Sequence, residues 1–390
     1  MQTIAITTTA ALEALVPRLQ QQPLLALDTE FVRVDTFHPK LGLIQIGDRE
    51  NEYLIDPVAI SDLSALTPLL VSETPRKILH ACSEDLEVLA RLAGAMPKGI
   101  LDTQMAAAFL GHGLQLGYQK SLQEFLGVDI PKDESRSDWL ARPLSEAQVN
   151  YAALDVRYLP QLYDVLAAQL RASGIEQWFE ADCAHMLADV NELPDPETVY
   201  QDANNAWRLR PQELAVLREL TRWRELEARR RDTPRGFLIK NGSLFGLARR
   251  QPQTLSALGE IEEMTPRIVR REGETLLRLI AAGKAQPASS WPATLPPPLP
   301  REARTVYDRL KDVATLVGKQ HGVPVEVLLR KRQLEALVLS VVDHGFDVAP
   351  PVALNGWRGQ ILTPLLFDAL REHAGDLQAW RELRQRGQQE

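Results

Sequence analysis

Between Pro23 and Val32 the chain reads Pro-Leu-Leu-Ala-Leu-Asp-Thr-Glu-Phe-Val, an apolar run of strand length that carries two carboxylates two residues apart. Side chains alternate across a strand, so Asp28 and Glu30 project from the same face and aim at one spot. A fold built around this strand must bring something to that spot.

Two later stretches supply candidates. From Leu144 to Leu170, apolar residues at Val149, Ala152, Ala153, Val156, Leu159, Leu162 and Leu166 recur at helical spacing. The pattern predicts one long helix on which Tyr151 and Asp155, four apart, share a face. Between the two stretches, Ser83 is placed to cap a helix beginning at Glu84, which puts Asp85 in its first turn, where the helix dipole favours a negative charge.

This inventory suits phosphoryl transfer. Mg²⁺ and Mn²⁺ take oxygen ligands, and two such ions roughly 3.5–4 Å apart stabilise both the attacking and the leaving oxygen of an in-line displacement. A phenol on a neighbouring helix, here Tyr151, orients the attacking water or helps take up its proton. Each motif alone is common on solvated turns and helix surfaces; the reading rests on all five residues occurring in order, each on a suitable element.

Several stretches together resemble the ribonuclease D family, in the tyrosine-bearing branch of the DEDD superfamily of 3′→5′ exonucleases. They are Leu27 to Val34 continuing through Thr36 to Gly47; His80 to Leu86 followed by Leu101-Asp102-Thr103-Gln104; and Ser137 to Leu144 running into Tyr151 to Leu159. The resemblance implies a ribonuclease H-like α/β domain, a mixed five-stranded sheet flanked by helices. It implies that Asp28, Glu30 and Asp155 ligate two divalent metal ions, Mg²⁺ or Mn²⁺, with Asp28 shared between them. Asp85 would hold the second ion directly or through water, and Tyr151 would position the attacking water. A histidine replaces this tyrosine in the sister branch. The implied substrates are RNA 3′ ends, those of transfer RNA precursors and other small stable RNAs.

Strand candidates at Thr3–Thr7, Leu24–Val32, Gly42–Gly47, Glu52–Ile55 and Lys77–His80, mixed with helical stretches, place the first part in the α/β class. A Thr9-capped helix should follow the first strand, and Glu176 to Glu192 should form another before Leu193-Pro194-Asp195-Pro196 breaks it. From Pro211 onward the text is helical. Arg229 to Leu247 and Leu255 to Gly283 resemble the HRDC domain, a small helical bundle. Residues 286–300, with Pro296-Pro297-Pro298, read as a stiff linker, and a second HRDC-like helical module is expected after it. The expected division is therefore 1–193 catalytic, 208–285 HRDC, 286–300 linker and 301–375 second module.

The net charge of −8 conceals two halves of opposite sign: 14 Lys and Arg against 29 Asp and Glu in residues 1–200, but 30 against 23 in 201–390. Arg208 to Arg250 holds 12 basic residues and five acids, which makes phosphate binding by Arg229-Arg230-Arg231, Arg235, Lys240 and Arg249-Arg250 an expectation, weighed against an ordinary solvated surface partly paired with Glu219, Glu225 and Glu227. Cys82 and Cys183 form no metal-binding or disulfide pattern, and no apolar run is long enough to cross a membrane, so a cytoplasmic protein is expected, taken as a monomer although these features do not decide its oligomeric state.

Other motif residues carry blander expectations. His80 should be structural, Asp102 a helix cap, Trp139 either a base platform or core, and Phe31 core. The rival readings are a DNA exonuclease on the same fold and a catalytically silent RNA-binding adaptor. No Gly-x-x-x-x-Gly-Lys-Ser/Thr loop is present to support an ATPase.

Overall fold

The computed structural model describes residues 1–131, 137–189 and 193–389, and the chain groups into two compact units. The first comprises Met1–Val32, Pro39–Glu192 and Arg304–His373; the second comprises Arg33–His38, Leu193–Ala303 and Ala374–Glu390.

The first unit is organised by a six-stranded sheet in the order β1-β4-β3-β2-β5-β6, where β1 is Gln2–Ile6, β2 Leu24–Val32, β3 Lys40–Gly47, β4 Asn51–Ile55, β5 Arg76–Leu79 and β6 Ile100–Asp102. β3 runs antiparallel to both β2 and β4, and the other pairings are parallel, so the sheet is mixed as expected. It has one strand more than the five implied, because β1 pairs in parallel along the outer edge of β4. One face, with Leu25, Leu27, Ile44, Ile46 and Ile55, packs on the Thr9–Gln20 and Ser83–Ala93 helices. Helices at Glu146–Arg157 and Leu159–Ala172 pack on the strands as well, the first against β2, β3 and β4.

Three local expectations are corrected. The single helix expected from Leu144 to Leu170 is two, separated at Tyr158, with Pro160 in the first turn of the second, where its missing N–H costs nothing. The first helix is capped by Thr8, whose side chain accepts from the Ala11 amide, rather than by Thr9. The helix carrying Asp85 begins at Ser83 itself with no cap from that side chain; instead the Asp102 carboxylate accepts the Ala81 and Cys82 amides at 3.0 and 3.2 Å. The helix beginning at Glu176 is described to Asp189, and the rest of its expected span lies outside the described residues.

The stretch 304–373, expected as a separate module, groups with this unit. Its Arg358 donates to both oxygens of Asp182 at 2.6 Å, Trp357 Nε1 donates to the same carboxylate at 2.9 Å, and the Trp357 ring stacks on Trp178 at 4.8 Å.

The second unit is helical. Helices at Pro211–Arg230 and Pro266–Ala285 pack closely, and a Cβ on Gly283 would stand 2.7 Å from the Val216 Cα, so only glycine permits the approach. Leu214, Leu217, Leu220, Leu247, Leu276 and Ile280 fill the core. Phe37 is buried beside Ala228 and Leu238 under the Arg235 guanidinium, 4.6 Å from the ring centroid. Among the described residues no helix is long and apolar enough to cross a membrane.

Candidate active site

β2 lies inside the sheet, and its alternation turns Asp28 and Glu30 to the side covered by the Glu146–Arg157 helix. That helix starts from a capping box: Ser145 accepts from the Gln148 amide at 3.2 Å and Gln148 accepts from the Ser145 amide at 3.0 Å. Its far end is tied to β4 by Arg157, which donates to the fully buried Glu52 at 2.7 Å. Between these anchors the helix delivers Asp155. Asp28, Glu30 and Asp155 each offer a carboxylate oxygen, and the three oxygens lie within 4.8 Å of one another.

Two glycines of β3 set how closely the segment carrying Trp139, Tyr151 and Asp155 approaches the sheet. A Cβ on Gly42 would stand 2.7 Å from the Trp139 carbonyl oxygen, and one on Gly47 would stand 3.1 Å from that of Val156. Arg142 locks the first contact, donating to both oxygens of Asp56 at 2.6 Å and to the carbonyls of Gly42 and Trp139 at 2.7 and 2.9 Å. Trp139 is fully buried with Leu43, Leu54 and Ala152 and tilts against the Tyr151 ring at 6.0 Å, so it is core backing for the tyrosine and not an exposed base platform.

Asp85 reaches the site differently. Its carboxylate accepts the Thr29 hydroxyl at 2.5 Å, and Thr29 by strand alternation faces away from Asp28 and Glu30. The structure thus gathers three of the four acids in one cluster and holds the fourth behind β2. Asp85 is still close enough to act electrostatically. Burial, then the charges of Asp155, Asp85 and Glu30, push the Asp28 carboxyl well above its ordinary range, and burial pushes Asp85 up to about 6. Converging carboxylates in a buried setting favour a proton or a cation between them. An all-oxygen, anionic donor set of this kind fits a hard divalent cation. A second observation agrees: Gln45, the register partner of Asp28, is fully buried, and neither its amide nitrogen nor its oxygen has a hydrogen-bond partner among the described residues.

A cleft of about 700 Å³ opens at Tyr151 and Asp155. Its opposite wall is the segment 112–120, including His112, Gln115, Tyr118, Gln119 and Lys120, none of which the sequence reading singled out. Tyr118 donates to the Leu154 carbonyl at 3.1 Å, and burial followed by the charges of Asp155 and Asp28 raises its phenol well above the usual value. His80 braces this wall: its Nε2–H donates to the Leu116 carbonyl at 2.9 Å and its Nδ1 lies 2.9 Å from Thr103 Oγ1, which leaves neither nitrogen for a metal. Burial lowers its pKa. Asp102 caps the Thr103–Phe109 helix through the Gln104 and Met105 amides, as expected. Phe31 is only half-buried, because the β2–β3 register shifts between Glu30 and Phe31.

Comparisons with known proteins agree with this geometry. Residues 3–171 match the 3′-5′ exonuclease family, and residues 213–280 match the HRDC domain. A ribonuclease D of Pseudomonas paraeruginosa is 46% identical over 90% of this chain and 92% of its own length. The chain belongs to the ribonuclease D family. The ribonuclease D of Escherichia coli K12 is 36% identical over 94% of this chain and 98% of its own. The crystal structure of Escherichia coli RNase D, described as an exoribonuclease involved in structured RNA processing, superposes with a TM-score of 0.89 at 36% identity, covering 96% of this chain and all of that one. Family membership makes this protein a 3′-5′ exoribonuclease acting on RNA, and the expected fold class, a mixed-sheet exonuclease domain with a helical HRDC domain, holds.

Proposed function

We propose that this exoribonuclease releases nucleoside 5′-monophosphates one at a time by hydrolysis assisted by two divalent metal ions, which Asp28, Glu30 and Asp155 would hold. The convergence of their oxygens within 4.8 Å, beside a cleft lined by Tyr151, carries the reading. Asp85, held by Thr29, would help hold the second ion, directly or through water. Bound there, Mg²⁺ or Mn²⁺ supplies a water of lowered pKa and offsets charge on the phosphate. Tyr151, whose ring Trp139 backs, would orient the attacking water from the helix that also carries Asp155. The natural substrates are the 3′ ends of transfer RNA precursors and other small stable RNAs, handled in the cytoplasm by a monomer. The division into residues 1–193, 208–285, 286–300 and 301–375 describes catalytic domain, HRDC domain, linker and second HRDC-like module.

The test is a time course on 5′-labelled single-stranded RNA and its DNA counterpart, with Mg²⁺, Mn²⁺ or chelator, resolving product lengths. A metal-dependent ladder shortening from the 3′ end of RNA is expected. Equal degradation of DNA would shift the substrate to either nucleic acid, and RNA binding without cleavage would leave an adaptor.

A further inference from the structure

The first unit contains a second cavity, of about 400 Å³, bounded by residues 81–115, by the Glu176–Asp189 helix, and by 327–358. It shares Gln115 with the catalytic cleft, so the two hollows adjoin across the segment at 114–116. Its size falls within the range of roughly 300–1,000 Å³ typical of small-molecule sites. Its walls mix apolar side chains, Met105, Leu114, Met186 and Val327, with the polar Gln104, Gln333, His185 and Arg330.

The charges on those walls do not balance. Asp102 is occupied by the amides of Ala81, Cys82, Gln104 and Met105. Asp182 is neutralised by the two-pronged contact from Arg358 at 2.6 Å. Arg330 is exposed, and its guanidinium makes no ion pair among the described residues. An arginine with no ion pair, sharing a cavity with Met105, Met186 and other apolar side chains, is complementary to a nucleotide, with the phosphate on the guanidinium and the base on the apolar wall.

We propose that this cavity seats a nucleotide of the RNA strand upstream of the scissile phosphate, with Arg330 holding its phosphate. The inference rests on the assignment of the Tyr151 cleft as the catalytic site, which the cavity joins at Gln115. A strand reaching the carboxylates across this wall places successive nucleotides in adjoining hollows. The site then rewards substrate length and not the terminal nucleotide alone.

Steady-state kinetics of Arg330→Ala and Arg330→Lys on two substrates test it: a single-stranded oligoribonucleotide, and the p-nitrophenyl ester of uridine 5′-monophosphate, which fills only the cleavage position. Arg330→Ala should raise KM for the oligonucleotide about tenfold, the scale of one charge-assisted phosphate contact, and reduce its salt dependence by about one counterion. Arg330→Lys should restore part of the loss, while turnover of the ester stays unchanged in both. Arg330 is exposed, so its replacement should leave the fold intact, and a circular-dichroism melt of each variant is the check. An unchanged oligonucleotide KM, or an equal loss on both substrates, overturns the proposal. So does a variant whose only change is weaker inhibition by free uridine 5′-monophosphate, which would make the cavity a free-nucleotide site. Failure of the unaltered protein to cleave the ester with either Mg²⁺ or Mn²⁺ present, while it still degrades RNA, would count against the cleft assignment and not against Arg330.

Discussion

Two clusters of buried and half-buried acids in this molecule differ in their company. In the first unit, Asp28, Glu30 and Asp155 face one another, and the pKa of Asp28 is raised by burial and by its neighbours' charges. In the second, Glu225 accepts from Arg229 and Arg235, and Glu272 from Arg231 at 2.6 Å. Burial alone would raise Glu225 too, but the hydrogen bonds from Arg235 and Arg229 hold it below its ordinary value, and those from Arg230 hold Glu227 down to about 2. Acids that close their own charge balance build a fold. Acids left facing like charge keep a place for a cation.

The contrast can be broken by the same chemical change made twice. Asp28→Asn should cut RNA hydrolysis by at least about 100-fold, beyond what loss of an outer-shell partner costs a metal site, and should raise the melting temperature of the chelated protein by removing a mutually repelling acid. Retained activity would remove Asp28 from the site. Glu225→Gln should do the reverse, lowering stability in urea by about 3–5 kcal/mol, because two arginines lose a buried partner, while sparing turnover of the uridine ester. A neutral effect would mean that the paired cluster is not holding its unit together.

Smaller effects sharpen the comparison. Gln45→Leu should stabilise the chelated protein by about 1–3 kcal/mol, since it removes an amide buried without partners; a loss of stability would show that the amide is satisfied in solution. The smallest effect is a pH dependence. The Asp85 pKa, pushed up to about 6 from 3.8, means the folded chain without metal holds that proton more tightly than the unfolded chain does. This contribution to stability is fully present below the unfolded value and is lost as pH rises through about 6. At the proposed metal site an ion would displace the same proton, so activity should fall as pH drops through that range. Melting curves with chelator against pH, repeated on Asp85→Asn, should show the slope in the parent and its loss in the variant.

Much of this was legible in the sequence because it depends on local period. Five of the six strands were visible as short apolar runs, and two-residue spacing placed Asp28 and Glu30 on one face. What the sequence hid depends on contacts between distant residues. The amides ahead of the Ser83–Ala93 helix are capped from Asp102, and no local rule points there. Asp85 stops at Thr29, on the other side of the strand, because the packing of its helix and not its spacing decides which face it meets. The arginines of 229–235 read as phosphate ligands, yet most of their charge is spent on Glu225, Glu227 and Glu272. The polar wall at 112–120 carries no motif at all; only folding sets it opposite Tyr151.

The glycines at 42 and 47 have a consequence for how this site can vary. A methyl group at Gly47 would press on the Val156 carbonyl of the helix and one at Gly42 on the Trp139 carbonyl before it, so the segment that delivers Asp155 lies as close to the sheet as two bare α-carbons allow. The clearance for ions is therefore gauged from beneath, by positions that never touch them. Were an ion held there, a change in its size could be met through carboxylate rotamers, whereas the gap itself is set by what β3 leaves out.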